Sequence, residues 1–226
     1  MKPVFRSQGL VCKSRLEKLQ DHKREFAHDM PHVATLLEAV QQFKPTALIG
    51  VSTIKSAFNQ QVIEAMAEIN DRPMIFPLSN PTDKSECTFQ EAMQWSNGRV
   101  LFASGSPFEP VTWQGKIITP AQSNNAYVFP ALGHAAVLAQ AKKLPEEVFL
   151  MSAAALSKIS TVEQLQQGHL FPPFSDIIPT SKKMMLELCT YFEECGLGAR
   201  PAGSTWNEIV QEGMWTPTAA ALQVSM

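Results

Sequence analysis

Short continuous apolar runs alternate with stretches of helical period along the first half of the chain. Val4-Phe5 runs into the turn-forming cluster Ser7-Gln8-Gly9 and reads as the last piece of a strand, so the chain is expected to begin in mid-fold. From Pro31, the positions Val33, Leu36, Leu37 and Val40 follow the i, i+3, i+4, i+7 spacing of one helix face. A helix of about a dozen residues, ended by Pro45, is expected there. Thr46 to Val51 is an unbroken apolar run with the look of a strand buried on both faces, as in parallel sheets. Val62, Ile63, Met66 and Ile69 then mark one stripe of a helix over Asn59 to Ile69. Met74 to Leu78 reads as the next strand, although Pro77 withholds a ladder donor. Thr88-Phe89-Gln90-Glu91 spells a capping box opening a short helix to Trp95, Asn97-Gly98 makes a turn, and Val100 to Ala103 is a third strand. Strands joined through helices call for right-handed crossovers, so a doubly wound, Rossmann-like parallel α/β sheet is the fold class predicted.

After Gly105 the character changes. A hairpin is expected around Trp113-Gln114-Gly115-Lys116, followed by helices near Pro130 to Ala141, Pro145 to Ser157, Val162 to Gln167 and Pro179 to Glu194. From Gly196 the chain reads as a loop holding the isolated aromatics Trp206 and Trp215 and a short helix around Asn207 to Gln211. With 226 residues, 45% hydrophobic and 18% charged, the chain can bury a real core. Its 19 basic and 21 acidic residues leave a net charge of −2, which recommends neither nucleic acid nor an anionic membrane as partner. No apolar stretch approaches the roughly 20 residues of a membrane span, so a soluble, intracellular protein is expected. Cys12, Cys87, Cys189 and Cys195 have neither disulfide density nor zinc spacing and read as thiols in a reducing compartment. The N-terminal residues carry no signal core.

In a doubly wound sheet the ligand sits beyond the carboxyl ends of the strands. Three such places hold small polar groups: Gly50-Val51-Ser52-Thr53, Ser79-Asn80-Pro81-Thr82 and Ser104-Gly105-Ser106-Pro107. Any one of them is ordinary loop composition, but three in register at strand ends form a candidate crevice for a nucleotide or a carboxylate. Asn124-Asn125 adds two amides suited to orienting a polar substrate and equally common in turns. No GxGxxG is present, and Asp71, Asp83, Glu86 and Glu109 are scattered without metal-ligand spacing. His28 and His32 are i, i+4 but straddle Pro31, so no helical ligand pair is expected from them. Ser104-Gly105-Ser106 lacks the flanks of a nucleophile elbow and reads as a turn.

Ser79-Asn80-Pro81-Thr82, Glu86-Cys87-Thr88 and the run from Gly98 through Ser104-Gly105-Ser106-Pro107-Phe108 together resemble the malic enzyme family. The likeness continues upstream at Lys44 to Ser52, downstream at Pro120 to Pro130, and more weakly at Gly168-His169-Leu170-Phe171-Pro172-Pro173. It implies a partial NAD(P)-binding Rossmann-like domain over 1–130, lacking the first strand and glycine loop, and a helical C-terminal region over 131–226. For the parent enzyme it implies oxidative decarboxylation of L-malate to pyruvate and carbon dioxide with reduction of NAD or NADP, and a Mg or Mn ion. It also implies a homodimer or tetramer in the cytoplasm or an organelle matrix, mitochondrion or plastid.

By that resemblance Asn80, Asn124 and Asn125 are substrate-binding, while Gly50, Val51, Ser52, Asn80 and Asn125 lie against the cofactor. Arg6 stands where the family tends to carry an aspartate for the adenosine ribose. With Lys23 it is a candidate for the 2′-phosphate of NADP. The family's acid, base and metal ligands all fall upstream of this region, so no catalytic or metal-binding residue is assigned within the chain. Ser56, Ala121 and Ser123 occupy positions where relatives favour glycine, and Ile178 one where they commonly have arginine. Three readings follow: the C-terminal part of a malic enzyme; a noncatalytic nucleotide-binding or subunit-interaction module derived from one; or part of a malolactic-type decarboxylase. An incomplete sheet also predicts an unpaired edge, an exposed apolar face and self-association.

Overall fold

The computed structural model describes residues 3–6, 9–166 and 168–214, with Arg6 and Gln166 described through their backbone alone. The expected Ser7-Gln8 turn, the helix end at Gln167 and Trp215 lie outside the described residues. The chain divides into two compact units, Met1–Ser123 and Asn124–Met226.

In the first unit, β1 (Phe5–Arg6) pairs antiparallel with β2 (Gly9–Leu10) in a small sheet of its own. The Val4-Phe5 segment therefore closes on its own neighbours, with the Val11 amide donating to the Val4 carbonyl and that of Leu10 to Val33. A 3-10 turn over Lys13–Lys18 and α1 (Asp21–Arg24) follow. Next, α2 covers Leu36–Phe43, shorter than the helix expected from Pro31. Thr35 accepts from the Glu38 amide while Glu38 accepts from the Thr35 amide, and this capping box fixes the start. Lys44 in the left-handed conformation (φ 45°) and Pro45 close the helix.

The main sheet is β3 (Ala47–Gly50), β4 (Met74–Pro77), β5 (Leu101–Ser104) and β8 (Ala121–Gln122), all parallel and in that order. Between them run α3 (Gln60–Ile69), α4 (Phe89–Trp95) and the hairpin of β6 (Val111–Trp113) with β7 (Lys116–Ile118). This is the parallel α/β architecture the periodicity predicts. Its fourth strand goes unread in the sequence because two residues carry no period. The hairpin turn is made by Gln114 and Gly115, both at positive φ (48° and 78°). Thr88 and Glu91 form the predicted capping box, and Asn59 caps α3 by accepting from the Val62 amide.

Leu48, Ile75 and Phe102 are in register across three strands. They pack in one cluster with Val40 of α2, Ile63 and Met66 of α3, and Phe89 and Met93 of α4. Burial on both faces of β3 is not found: Ile49 is 60% exposed and Val51 72%. Among the described residues β3 is one edge of the sheet, and its alternate residues are not covered by the helices. Arg99 closes the far end of α3, its guanidinium donating to the carbonyls of Ala67, Asn70 and Asp71 at 2.8, 3.0 and 3.2 Å.

The second unit is helical, as expected, with α5 (Phe129–Leu138), α6 (Glu147–Ser157), α7 (Val162–Gln166), α8 (Ile177–Glu194) and α9 (Trp206–Gly213). α8 supplies the central stripe Met184, Met185, Leu188 and Phe192, which packs with Leu132 of α5, Val148 of α6 and Trp206 of α9. The Trp206 indole donates to Glu193 at 2.7 Å, and the Tyr127 hydroxyl donates to the Pro172 carbonyl at 2.6 Å. Burial, together with the Asp176 carboxylate, raises the Tyr127 hydroxyl above its ordinary value.

Candidate functional site at the strand ends

Parallel strands deliver their carboxyl ends to one edge, and backbone bonds carry the alignment into the segments that leave them. The Leu78 amide donates to the Gly50 carbonyl (2.8 Å), Gly105 to Pro77 (3.2 Å) and Ser123 to Ser104 (2.8 Å). The polar segments read from the sequence after β3, β4 and β5 thus lie side by side. Glycine is demanded twice. A Cβ on Gly50 would fall 2.5 Å from the Glu86 side chain, and one on Gly105 only 2.4 Å from the Leu78 carbonyl oxygen.

Behind this rim lies Glu86, fully buried. One carboxylate oxygen accepts from the Ser52 amide (2.8 Å), the Ser52 hydroxyl (2.8 Å) and the Ser79 hydroxyl (2.5 Å); the other accepts from the Ser79 amide (3.4 Å). Burial pushes this carboxyl up, but the hydrogen bonds from Ser79 and Ser52 outweigh it and hold the group below its ordinary value. The serine oxygens in turn accept from the chain in front, Ser79 from the Thr53 amide (2.8 Å) and Ser52 from the Ile54 amide (3.2 Å). Next to Glu86, burial drives the Cys87 thiol far above its usual range, with the Glu91 and Glu86 carboxylates adding to the effect, so it stays a neutral packing group.

Asn80, in contrast, is exposed at the front. Its carboxamide nitrogen donates to the Leu78 carbonyl at 3.2 Å, and its oxygen accepts from the Ser106 hydroxyl. Ser104 donates to the Ser106 carbonyl (2.8 Å) and Gln122 to that of Gly105 (3.3 Å), tying the fourth strand into the same rim. The rim presents the uncharged donors and acceptors of Asn80 and Ser106, and Val51, in the segment leaving β3, is exposed.

The remaining sequence candidates are distributed as follows. Gly50, Val51, Ser52 and Asn80 share this rim. Lys23 lies half-buried on α1, and Arg6 takes its backbone place in β1 while its side chain is outside the described residues. Asn124 and Asn125 belong to the second unit. Asn124 caps the 3-10 turn Asn125–Tyr127 by accepting from the Ala126 amide (2.9 Å), and Asn125 is exposed. Glu86 emerges as the organising residue that the sequence left among scattered acids. Its partners are 7 and 34 residues away, and the only local sign is a lone acid between Ser85 and Cys87 ahead of a helix cap. Among the described residues no group of three or more His, Cys, Asp or Glu side chains is placed to hold a metal ion. No helix among them is long and apolar enough to cross a membrane.

Comparison with known proteins bears on the same region. Residues 4–192 match the family described as malic enzyme, NAD binding domain. The chain is 45% identical over 212 residues to a chloroplastic NADP-dependent malic enzyme of Oryza sativa subsp. japonica, covering 93% of this chain and 33% of that protein. It is 42% identical over 212 residues to the NADP-dependent malic enzyme of Vitis vinifera, covering 93% and 36%. It therefore spans about a third of the length of these relatives. Among solved structures, the malic enzyme of Entamoeba histolytica matches with a TM-score of 0.73 at 19% identity, over 93% of this chain and 40% of that one. That of Pyrococcus horikoshii Ot3 matches at 0.67 and 19%, over 90% and 43%. At such identity these two likenesses speak for the fold.

Proposed function

The chain belongs to the malic enzyme family through its NAD-binding domain, and from that premise we propose that it forms the NADP-holding part of an enzyme that oxidatively decarboxylates L-malate to pyruvate and carbon dioxide. The observation that carries the reading is the alignment of the small polar segments at Ser52, Asn80 and Ser106, which leave three parallel strands side by side, with Asn80 and Val51 exposed. A nicotinamide ring and its carboxamide fit such a surface, since the amide needs both a donor and an acceptor and the ring needs an apolar face. When bound, the dinucleotide supplies a hydride acceptor. The part of these residues is to hold and orient it: Asn80 offers carboxamide positions beyond those used on Leu78 and Ser106, and the chain direction at Gly50-Val51-Ser52 sets how closely the backbone approaches. Lys23 and Arg6 are the cations we assign to the 2′-phosphate, a choice supported by relatives named as NADP-dependent.

Asn124 and Asn125 are assigned to the malate carboxylate on the strength of the family resemblance, and no metal step is attributed to this chain's described residues. The test is titration of the purified chain with NADPH and NADH, followed through reduced-nicotinamide fluorescence. Saturable binding with NADPH the tighter ligand is expected, and binding of neither would overturn the reading.

A further inference from the structure

We propose that Glu86 is a positioning residue of the dinucleotide site: its carboxylate ties the segments leaving β3 and β4 to each other and so fixes the direction in which Asn80 is presented. The proposal rests on the reading of the strand ends given above. Glu86 is fully buried, and among the described residues no cation pairs with it. An apolar side chain would fill the same space with no desolvation cost, so packing alone does not explain a carboxylate there.

What a carboxylate adds is direction. It only accepts, so the Ser52 and Ser79 hydroxyls must both turn their protons inward. Their lone pairs are then left facing forward, where they accept the amides of Ile54 and Thr53. That second tier holds Thr53 in the left-handed conformation at φ 57°. Ser79, anchored through both its amide and its hydroxyl, is followed directly by Asn80. A glutamine at position 86 disturbs the scheme: with its oxygen where Ser52 and the Ser79 hydroxyl donate, its amide nitrogen faces the Ser79 amide, donor against donor.

The experiment compares the full chain with E86Q and with S52A, which removes one hydroxyl of the network from a residue at the surface. Three quantities are followed: hydrogen exchange of the amides of residues 52, 53, 54 and 79; NADPH binding; and binding of adenosine 2′,5′-bisphosphate, a probe of the adenosine end alone. E86Q is expected to speed exchange at these amides and to weaken NADPH, each by about tenfold or more, with the bisphosphate affinity unchanged. S52A should show the same pattern at smaller amplitude. Equal NADPH affinity in wild type and E86Q overturns the role, as does a parallel loss of both ligands, which marks general damage. A wild-type chain that binds neither probe overturns the dinucleotide reading itself and this role with it.

Discussion

Ser56 sits at φ 58° on the exposed turn after β3, a region that costs an L-residue about 1–2 kcal/mol and glycine little. Glycine gives back roughly 0.5–1 kcal/mol through the freedom of its unfolded chain. S56G should therefore stabilise the protein by about 0.5–1 kcal/mol, read as a higher urea midpoint at unchanged slope. Ala121 and Ser123, the other two places where relatives favour glycine, are not among the residues at positive φ, and A121G should destabilise. The sequence marks all three positions alike; only the backbone angle separates them. Glu86 makes a second residue-level prediction. Its folded pKa lies below its ordinary value, so its contribution is complete above the unfolded pKa and disappears as pH falls through the folded one. E86Q should cost about 2 kcal/mol near neutrality, and the gap to wild type should close on acidification below about pH 4.5. Denaturant unfolding of both proteins across that range measures it, and a gap independent of pH would contradict the assignment. Asn80, Ser52 and Gly50 were legible as site candidates because strand ends can be read from apolar runs. Their link to Glu86 was not, since hydrogen bonds across 34 residues leave no periodic trace.

At the level of elements, local chemistry sets the boundaries more firmly than period does. The Thr88-Glu91 box places α4 where the sequence predicts it, while the Thr35-Glu38 box moves the start of α2 past Pro31 and Val33. Val33, outside any helix, keeps its apolar role by packing with Leu10 and Ala39, so its spacing imitates a helical stripe. T88A and T35A should each cost about 1 kcal/mol, with T88A the larger because α4 supplies Phe89, Ala92 and Met93 to the core. A thermal midpoint unchanged by either would show that the box is dispensable. Between elements, β4 and β5 approach so closely that G105A would press a methyl group onto the Leu78 carbonyl. A loss of about 2 kcal/mol or more, with the strand-end rim disturbed first, is expected from that substitution.

The molecule as a whole presents an apolar edge at one side of the sheet, where Ile49 (60% exposed), Val51 (72%) and Ile54 (49%) sit on or just beyond β3. Among the described residues no strand pairs with the outer side of β3, and an edge carrying such residues favours association. We expect concentration-dependent sedimentation of the chain and a weakening by about tenfold in I49K, a charge placed where two edges would meet. A monomer at all concentrations would refute it. The order of the sheet carries a kinetic consequence. In β3-β4-β5-β8 every strand's neighbour in space is the next strand of the sheet in sequence: Ala47 lies beside Met74, Ile75 beside Phe102, Ala103 beside Ala121. Each of these described pairings joins strands consecutive in the sheet, and closing the crossover between them costs free energy that rises only with the logarithm of its length. A chain emerging from the ribosome can add each strand to the last as it is made, and the growing edge is always the one the next strand needs.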